Sequence, residues 1–166
     1  MRTYEVTHLE QLSMPKRYQV AAIPFRQHII KGSQVLLVTS RETRRWVVPK
    51  GWPWPHVADH EAAAGEAWEE AGVRGQVMPK KIGKFTYNKR RNEKVYQLKV
   101  FVYLLEVTAE ADDWPEVDQR ERKWFTQVEA SCLVDEPELK SILLELGERT
   151  PATSGPFDRT RQPGRP

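Results

Sequence analysis

The sequence predicts an α/β/α sandwich with a mixed central sheet, and three observations lead to this fold class. Segments with strand patterns alternate along the chain with segments of helical spacing. The longest predicted strands follow one another across short polar turns, which favours hairpins inside the sheet. The 166 residues suit one domain with a substantial core, which we place at residues 16–149.

The first part of the chain contains three predicted strands. Residues 1–15 show no periodicity, and we expect an irregular arm there. Residues 18–30 begin with an apolar run that is typical of a strand. Residues 34–40 contain Val-Leu-Leu-Val, which indicates a strand buried on both faces. Residues 46–48 predict a short third strand that Pro49 ends.

An amphipathic helix is predicted from residue 59 to residue 71, with Asp59 as N-cap and Gly72 as C-terminal cap. Its predicted core face consists of Ala64, Ala67, Trp68 and Ala71. Glu66, Glu69 and Glu70 stand at i, i+3 and i+4 and share the opposite face. These carboxylates repel one another, and Mg2+ prefers oxygen ligands, so the cluster indicates either a metal site or a solvated acidic face.

The second part of the chain predicts a hairpin and a packing helix. The predicted elements are strands near 74–78, 81–87, 95–107 and 123–126 and a helix at 136–146. A polar turn at 88–92 joins the second and third of these strands into a hairpin with a basic tip. After residue 150 the chain is rich in proline and poor in hydrophobic residues, and we expect a disordered tail.

The charges are divided between two segments. Residues 59–70 include acidic residues and no Lys or Arg, whereas residues 80–99 are strongly basic, with Glu93 as the single acid. A polyphosphate site requires acidic residues that bind a metal and basic residues that bind the phosphate anion, and both occur here in one domain. A soluble hairpin with charged outer positions would show the same basic run, so the charges alone leave both explanations open.

Composition and motifs argue against several other classes of protein. The single Cys132 cannot form an intramolecular disulfide or a Cys-based zinc cluster, and it fits a reducing, cytoplasmic environment. We expect no membrane partner, because no apolar run approaches the ~20 residues that span a bilayer. The N-terminus lacks a secretory signal pattern. The sequence contains neither the common glycine-rich phosphate loops nor a Gly-x-Ser-x-Gly element.

The stretch from Gly51 to Val73 resembles the Nudix box, written G-x5-E-x7-R-E-U-x-E-E-x-G-U with U apolar. The matching residues are Gly51, Glu66, Ala67, Glu69, Glu70, Gly72 and Val73. Val57 stands where the box has Glu, and Gly65 stands where it has Arg. The resemblance implies an α/β/α fold. It also implies hydrolysis of a nucleoside diphosphate linked to another moiety, or of related pyrophosphates, with Mg2+ or Mn2+.

Residues outside the box resemble the diphosphoinositol polyphosphate phosphohydrolase branch of that family, over roughly residues 17–147. They are the run 44–51, the basic turn, Asp113-Trp114 and the run 120–125. The roles that this resemblance implies are general base for Glu69 and metal binding for Glu66, Glu70 and the backbone carbonyls of Lys50 and Gly51. The reverse assignment is the alternative, with Glu70 as the general base and Glu69 as a metal ligand.

A highly charged substrate needs cationic and hydrogen-bonding groups around it. The candidates are Arg17, Ser40, Arg41, Arg45, Lys50, Lys89, Arg90 and Arg91, with Arg120 and Arg122 ranked below them. Trp52 and Trp54 flank prolines and would either stack on a nucleobase or stiffen the loop.

The expected function is Mg2+-dependent hydrolysis of phosphoanhydride bonds in diphosphoinositol polyphosphates or dinucleoside polyphosphates, by a monomer or weak dimer. The box Arg and the first box Glu are lost together. Because losing both members of a pair can be nearly neutral, we still expect an enzyme. We expect its efficiency to be reduced, since the pair that would support the glutamates is missing. One alternative is a catalytically weak Nudix module that binds phosphorylated ligands or RNA. Another is an RNA 5′-end pyrophosphohydrolase.

Overall fold

The computed structural model describes residues 18–149 and consists of eight strands and three helices within that range. The strands are β1 Tyr18–His28, β2 Gly32–Thr39, β3 Trp46–Val47, β4 Lys50–Gly51, β5 Val73–Val77, β6 Gly83–Arg91, β7 Lys94–Glu110 and β8 Arg122–Thr126. The helices are α1 Asp59–Ala71, α2 Gln127–Leu133 and α3 Pro137–Arg149. The predicted arm at residues 1–15 and the predicted tail after residue 150 lie outside the described residues.

All eight strands belong to one mixed sheet with the order β3-β2-β1-β7-β5. β1 and β7 are parallel, while the pairs that β2, β4, β5, β6 and β8 make are antiparallel. The short strand β4 lies beside the start of β1, with Gly51 opposite Val20 and Lys50 opposite Ala21. This pairing fixes the loop before α1 against the centre of the sheet.

Helices cover both faces of the sheet. Along β1, Ala21 and Ile23 point to a cluster that includes Leu139 and Leu143 of α3. Val20 and Ala22 point to the opposite face, where the core includes Ala63 and Ala67 of α1. The alternation follows from the two-residue repeat of a strand, and it confirms the predicted α/β/α sandwich. None of the three described helices has the length and apolar character that crossing a membrane requires.

The bounds of α1 agree with the prediction, and Gly72 ends the helix in the left-handed conformation with φ of 64°. The predicted N-cap is wrong, because Ala58 occupies that position without a side-chain cap and Asp59 is the first helical residue. The predicted helix faces also need correction. The buried residues of α1 are Ala62, Ala63, Ala67, Glu70 and Ala71. Small alanines lie against the sheet, and bulky Trp68 lies at the margin, where the Arg74 guanidinium stacks 3.8 Å from its ring.

The hairpin differs from the prediction at its turn. β6 continues to Arg91, and the turn consists of Asn92 and Glu93, both with positive φ, at 47° and 61°. Two successive residues of positive φ form the tight turn that matches the twist of an antiparallel pair. Lys89, Arg90 and Arg91 lie on strand β6 and not in a basic tip.

Sequence analysis did not predict α2. Its start is a capping box in which the Thr126 hydroxyl accepts a hydrogen bond from the Glu129 amide at 3.3 Å. The Glu129 carboxylate in turn accepts one from the Thr126 amide at 2.8 Å. The Thr-x-x-Glu spacing is a helix-start signal that was present in the sequence. Cys132 lies exposed on this short helix.

Candidate active site

A cavity of about 680 Å3 opens beside α1 and the loop that follows β4. Its wall carries both signs of charge. The acidic side chains are Glu42, Glu66, Glu70 and Glu116, and the basic ones are Arg41, Arg45, Lys50, Lys89, Arg90 and Arg120. The structure therefore brings the acidic helix and the basic hairpin, which are distant in sequence, to one cavity.

Glu70 is the most deeply buried carboxylate of this wall, with 7 % of the residue exposed. One of its oxygens accepts a hydrogen bond from Arg120 Nη2 at 2.9 Å, and the other accepts one from the Lys50 backbone N–H at 3.3 Å. Burial raises the pKa of Glu70 to about 7, even though Arg120 and Lys50 act to lower it. Because this carboxyl titrates near neutral pH, a nearby cation would favour its ionised form.

Glu66 lies one turn before Glu70 and is half-buried. Its Oε1 accepts a hydrogen bond from the indole Nε1–H of Trp54 at 3.1 Å. Burial raises the pKa of Glu66, while the Trp54 hydrogen bond lowers it. A Cβ atom at Gly51 would lie 2.2 Å from Glu66 Cδ, so only glycine lets the β4 backbone approach this carboxylate. This close approach gives a physical reason for the glycine that opens the box.

Arg120 and Glu116 are functional candidates that sequence analysis undervalued or missed. The Arg120 side chain is 8 % exposed, and its Nε donates to the Glu116 carboxylate while its Nη1 donates to the Thr39 carbonyl at 3.1 Å. Arg120 thus joins Glu70 and Glu116 across the cavity wall. The Asp-Asp-Trp-Pro-Glu run at 112–116 was the available sequence signal for a second acidic segment.

The loop after β7 is attached to the C-terminal end of α1. The Trp114 indole N–H donates to the Glu70 carbonyl at 3.2 Å, and the Glu116 backbone N–H donates to the Glu69 carbonyl at 3.1 Å. The indole of Trp114 also fills the space over Gly72, where a Cβ would lie 2.7 Å from its nearest ring atom. These contacts hold the loop so that Glu116 and Arg120 lie close to Glu70.

Glu69 is partly exposed and is not one of the described residues that line the cavity. Its negative charge is among those that raise the pKa of Glu66, after burial of Glu66 itself. The predicted ligands Glu66 and Glu70 on α1 and Lys50 and Gly51 on β4 all line the cavity, whereas the predicted general base Glu69 does not.

The predicted phosphate-binding residues are only partly gathered. Arg45 donates to both oxygens of Glu136, at 2.7 and 3.4 Å, and Arg41 Nη1 lies 3.8 Å from the Glu116 carboxylate. The Ser40 hydroxyl shares a 2.7 Å hydrogen bond with the Thr43 hydroxyl. These side chains reach the cavity, but acidic or polar neighbours already contact them.

Lys50 is a partly buried residue that lines the cavity, and its ammonium group lies 5.0 Å from the centre of the Tyr87 ring. Burial lowers the pKa of Lys50, although the Glu70 charge raises it. Lys89 and Arg90 also line the cavity, and Lys89 Nζ lies 5.3 Å from the Trp52 ring centre. Arg91 is not among the described lining residues, and Arg17 falls outside the described part of the chain.

The donor set suits a magnesium ion that is completed by other ligands. No three His, Cys, Asp or Glu side chains of residues 18–146 are grouped closely enough to form a metal site by themselves. Mg2+ is usually bound through one or two carboxylates, with water and substrate phosphates as the remaining ligands. Two carboxylates on one cavity wall fit that chemistry, and Trp54 and Arg120 each donate a hydrogen bond to one of them.

A family profile for the NUDIX domain matches residues 15–146. The chain belongs to the Nudix family. Nudix hydrolase 4 of Arabidopsis thaliana is 36 % identical over 121 residues, covering 69 % of this chain and 57 % of that protein. Human diphosphoinositol polyphosphate phosphohydrolase 3-beta is 36 % identical over 110 residues, covering 64 % of this chain and 62 % of that protein. The chain thus spans between half and two thirds of the length of these Nudix relatives.

Solved Nudix structures show the same fold. An Ap4A hydrolase binary complex from C. elegans has a TM-score of 0.59 at 20 % identity, covering 80 % of this chain and 96 % of that one. The NUDIX domain of Shewanella oneidensis NrtR, complexed with ADP ribose, has a TM-score of 0.61 at 15 % identity, covering 87 % and 99 %. At these identities the likeness concerns the fold, which the sequence analysis predicted.

The raised pKa of Glu70 predicts how the metal-free protein responds to pH. The folded state holds this proton up to about pH 7, whereas the unfolded chain releases it near pH 4.5, so stability should fall as pH rises between these values. The loss attributable to Glu70 is on the order of 3 kcal/mol at most. Urea unfolding in EDTA from pH 4.5 to 8 measures it, with Glu70→Gln as the comparison.

Glu70→Gln should flatten this part of the pH profile, because glutamine does not titrate. Glu61→Gln, an exposed glutamate in the first turn of the same helix, serves as the control and should leave the profile unchanged. Identical slopes for the wild type and Glu70→Gln would contradict the prediction.

Proposed function

We propose that this Nudix protein hydrolyses phosphoanhydride bonds in a highly phosphorylated small molecule with the help of Mg2+ or Mn2+. The observation that carries the proposal is the cavity in which the box carboxylates Glu66 and Glu70 face the cationic groups of Lys50, Lys89 and Arg90. Carboxylates for a divalent cation and cations for phosphates are the two requirements of such a reaction. We also propose a cytoplasmic monomer or weak dimer.

In this proposal the Glu66 and Glu70 carboxylates hold the metal, together with backbone carbonyls of Lys50 and Gly51. A bound divalent cation supplies neutralisation of the bridging phosphates and a lowered pKa for water. Gly51 keeps the β4 backbone close to Glu66, and burial beside Arg120 keeps Glu70 in place. The protein mainly positions charges, which is the dominant contribution in phosphoryl transfer.

The base that accepts the proton of the attacking water is proposed to be Glu69, with Glu70 as the alternative. Glu69 has a side chain that the described contacts leave outside the cavity wall, so it would need to turn toward the substrate. Glu70 has a pKa of about 7, which is a favourable value for a base at neutral pH.

Diphosphoinositol polyphosphates are the proposed substrate class. Several cations surround the cavity, and a human relative at 36 % identity carries the name diphosphoinositol polyphosphate phosphohydrolase. Dinucleoside polyphosphates are the second candidate, and one observation favours them. The Trp52 residue is 47 % exposed and lines the cavity next to Lys89, so its ring is available to stack on a nucleobase.

Phosphate release from a panel of substrates tests the proposal. The panel comprises a diphosphoinositol pentakisphosphate, diadenosine tetraphosphate and a 5′-triphosphorylated RNA, each with Mg2+, with Mn2+ and with EDTA. We expect turnover of at least one small molecule with metal, and loss of that turnover in EDTA. Trp52→Ala should weaken only the dinucleotide reaction, through a higher KM.

The outcomes of the panel separate the proposals. Turnover of the RNA alone would favour a 5′-end pyrophosphohydrolase. Binding of the small molecules by calorimetry without any turnover would favour the catalytically weak module. Turnover that is unaffected by EDTA would contradict the metal-dependent mechanism.

A further inference from the structure

Both departures from the Nudix box contact Trp54, Gly65 under its ring and Val57 through a hydrogen bond from its backbone N–H to the Trp54 carbonyl at 3.4 Å. Gly65, where the box has Arg, lies directly under the Trp54 ring, and a Cβ built at Gly65 would be 2.3 Å from Trp54 Cη2. Two further ring atoms would lie within 2.8 Å of that Cβ. The contact leaves no room for any side chain at position 65 while the indole stays in place. This close packing gives a physical reason for a glycine in the interior of α1, where glycine is otherwise unfavourable.

The same indole contacts the neighbouring carboxylate. Its Nε1–H donates to Glu66 Oε1 at 3.1 Å, so the ring that covers Gly65 also fixes one oxygen of the next residue. Val57, where the box has Glu, packs with Trp54 against the cluster of apolar side chains that includes Ala63 and Ala67. Val57 is partly buried, so a charged side chain at position 57 would lose part of its solvation beside this apolar cluster.

The contacts of Trp54 with Gly65 and Glu66 differ electrostatically from an Arg–Glu pair, because the donor to Glu66 is neutral. An indole N–H is a neutral donor, so it orients the Glu66 carboxylate without cancelling the negative charge. It also needs no counter-ion, which is compatible with valine at position 57. The second Glu66 oxygen remains able to face the cavity that Glu66 lines.

We infer that Trp54 is the positioning residue for the Glu66 carboxylate in this protein, and that Trp54, Val57 and Gly65 function as a coupled replacement for the box Arg and Glu. The part of this inference that concerns the metal rests on the proposed function. The part that concerns the contact between Trp54, Gly65 and Glu66 does not.

Thermal unfolding of metal-free protein tests the packing. Gly65→Ala should lower the Tm when Trp54 is present, because the new methyl group collides with the indole. In a Trp54→Ala background, Gly65→Ala should raise the Tm, because alanine is the better helix former. A rise of the Tm in both backgrounds would overturn the proposed coupling.

The hydrogen bond to Glu66 has its own readout. In a proton–nitrogen NMR correlation spectrum, the indole N–H resonance of Trp54 is the one that is absent in Trp54→Phe. It should shift upfield in Glu66→Gln, since a neutral acceptor binds the N–H more weakly, and it should stay in place in Glu61→Gln. An unchanged Trp54 resonance in Glu66→Gln would overturn the positioning role.

Metal binding then tests the consequence for the site. Trp54→Phe removes the donor and keeps a shorter aromatic ring in the loop, and it should weaken Mn2+ affinity in calorimetry by about 10–100-fold. With substrate, kcat should fall while KM changes little. Trp68→Phe, at the outer margin of the same helix, is the matched control and should behave as the wild type. Unchanged Mn2+ affinity in Trp54→Phe would overturn the role toward the metal.

A rescue experiment completes the set. Trp54→Ala combined with Val57→Glu and Gly65→Arg restores the box pair in the space that the indole leaves, and it should recover much of the Mn2+ affinity lost in Trp54→Ala. No recovery in a folded triple variant would contradict the replacement. If the wild type binds no Mn2+, the proposed function fails, whereas the Tm cycle and the indole resonance still decide the Trp54 contact.

Discussion

Replacing Glu70 with glutamine should lower kcat/KM by more than about 100-fold, because groups that only support a metal ligand already contribute about 10–100-fold. Glu70→Gln retains one oxygen, which can accept either the Arg120 or the Lys50 hydrogen bond, and we expect the fold to persist with one of the two bonds lost. The variant should need a higher Mg2+ concentration for half-maximal activity. Steady-state kinetics over a range of Mg2+ concentrations measures both effects.

Glu69→Gln provides the matched comparison within α1. If Glu69 is the base, this variant should lower kcat at saturating Mg2+ and leave the Mg2+ requirement unchanged. The reverse pattern in the two variants would show that Glu69 and Glu70 have exchanged roles. Glu61→Gln is the control for charge removal on this helix. Wild-type activity in both Glu69→Gln and Glu70→Gln would refute the proposed site.

Arg120→Met should destabilise the protein by about 3–5 kcal/mol at pH 8, since it leaves buried charges without their partner. Arg120 contacts the Glu70 and Glu116 carboxylates and the Thr39 carbonyl, with only 8 % of its side chain exposed. The penalty should shrink toward pH 5, where Glu70 binds a proton and no longer carries an unpaired charge. Urea unfolding at both pH values measures the change.

The double variant Arg120→Met/Glu70→Gln should recover part of that loss, because it removes the buried charge together with its partner. Arg91→Met, on the exposed end of β6, is the control and should change stability by no more than about 0.5 kcal/mol. Equal destabilisation by Arg120→Met with and without Glu70→Gln would exclude the ion pair as the cause.

The local features of the site were predictable from the sequence. The bounds of α1, the left-handed Gly72 and the spacing between Gly51 and the glutamates follow from periodicity and capping, which depend on neighbouring residues. The orientation of α1 was less predictable. Alanines surround much of the helix, so its pattern did not show that Glu70 would be buried and Trp68 left at the margin.

The partners of the acidic cluster were not predictable in the same way. Arg120 and Glu70 are 50 positions apart, and no local spacing encodes their contact. Glu116 reaches the site only because the loop after β7 is attached to the end of α1. Trp54 and Glu66 are 12 positions apart, across a proline-containing loop whose path only the fold determines.

The parallel pairing of β1 and β7 has a consequence for biosynthesis. Tyr18 lies opposite Lys99, so the two central strands come from distant parts of the chain. A ribosome-bound chain that already contains the whole Nudix box has β2 and β4 to pair with β1, but it still lacks the parallel partner β7 and the later Arg120. Non-local pairing of this kind slows folding and exposes apolar strand edges in the meantime. We therefore expect nascent chains that end before β8 to depend on chaperones and to acquire the cavity only after Arg120 has been synthesised.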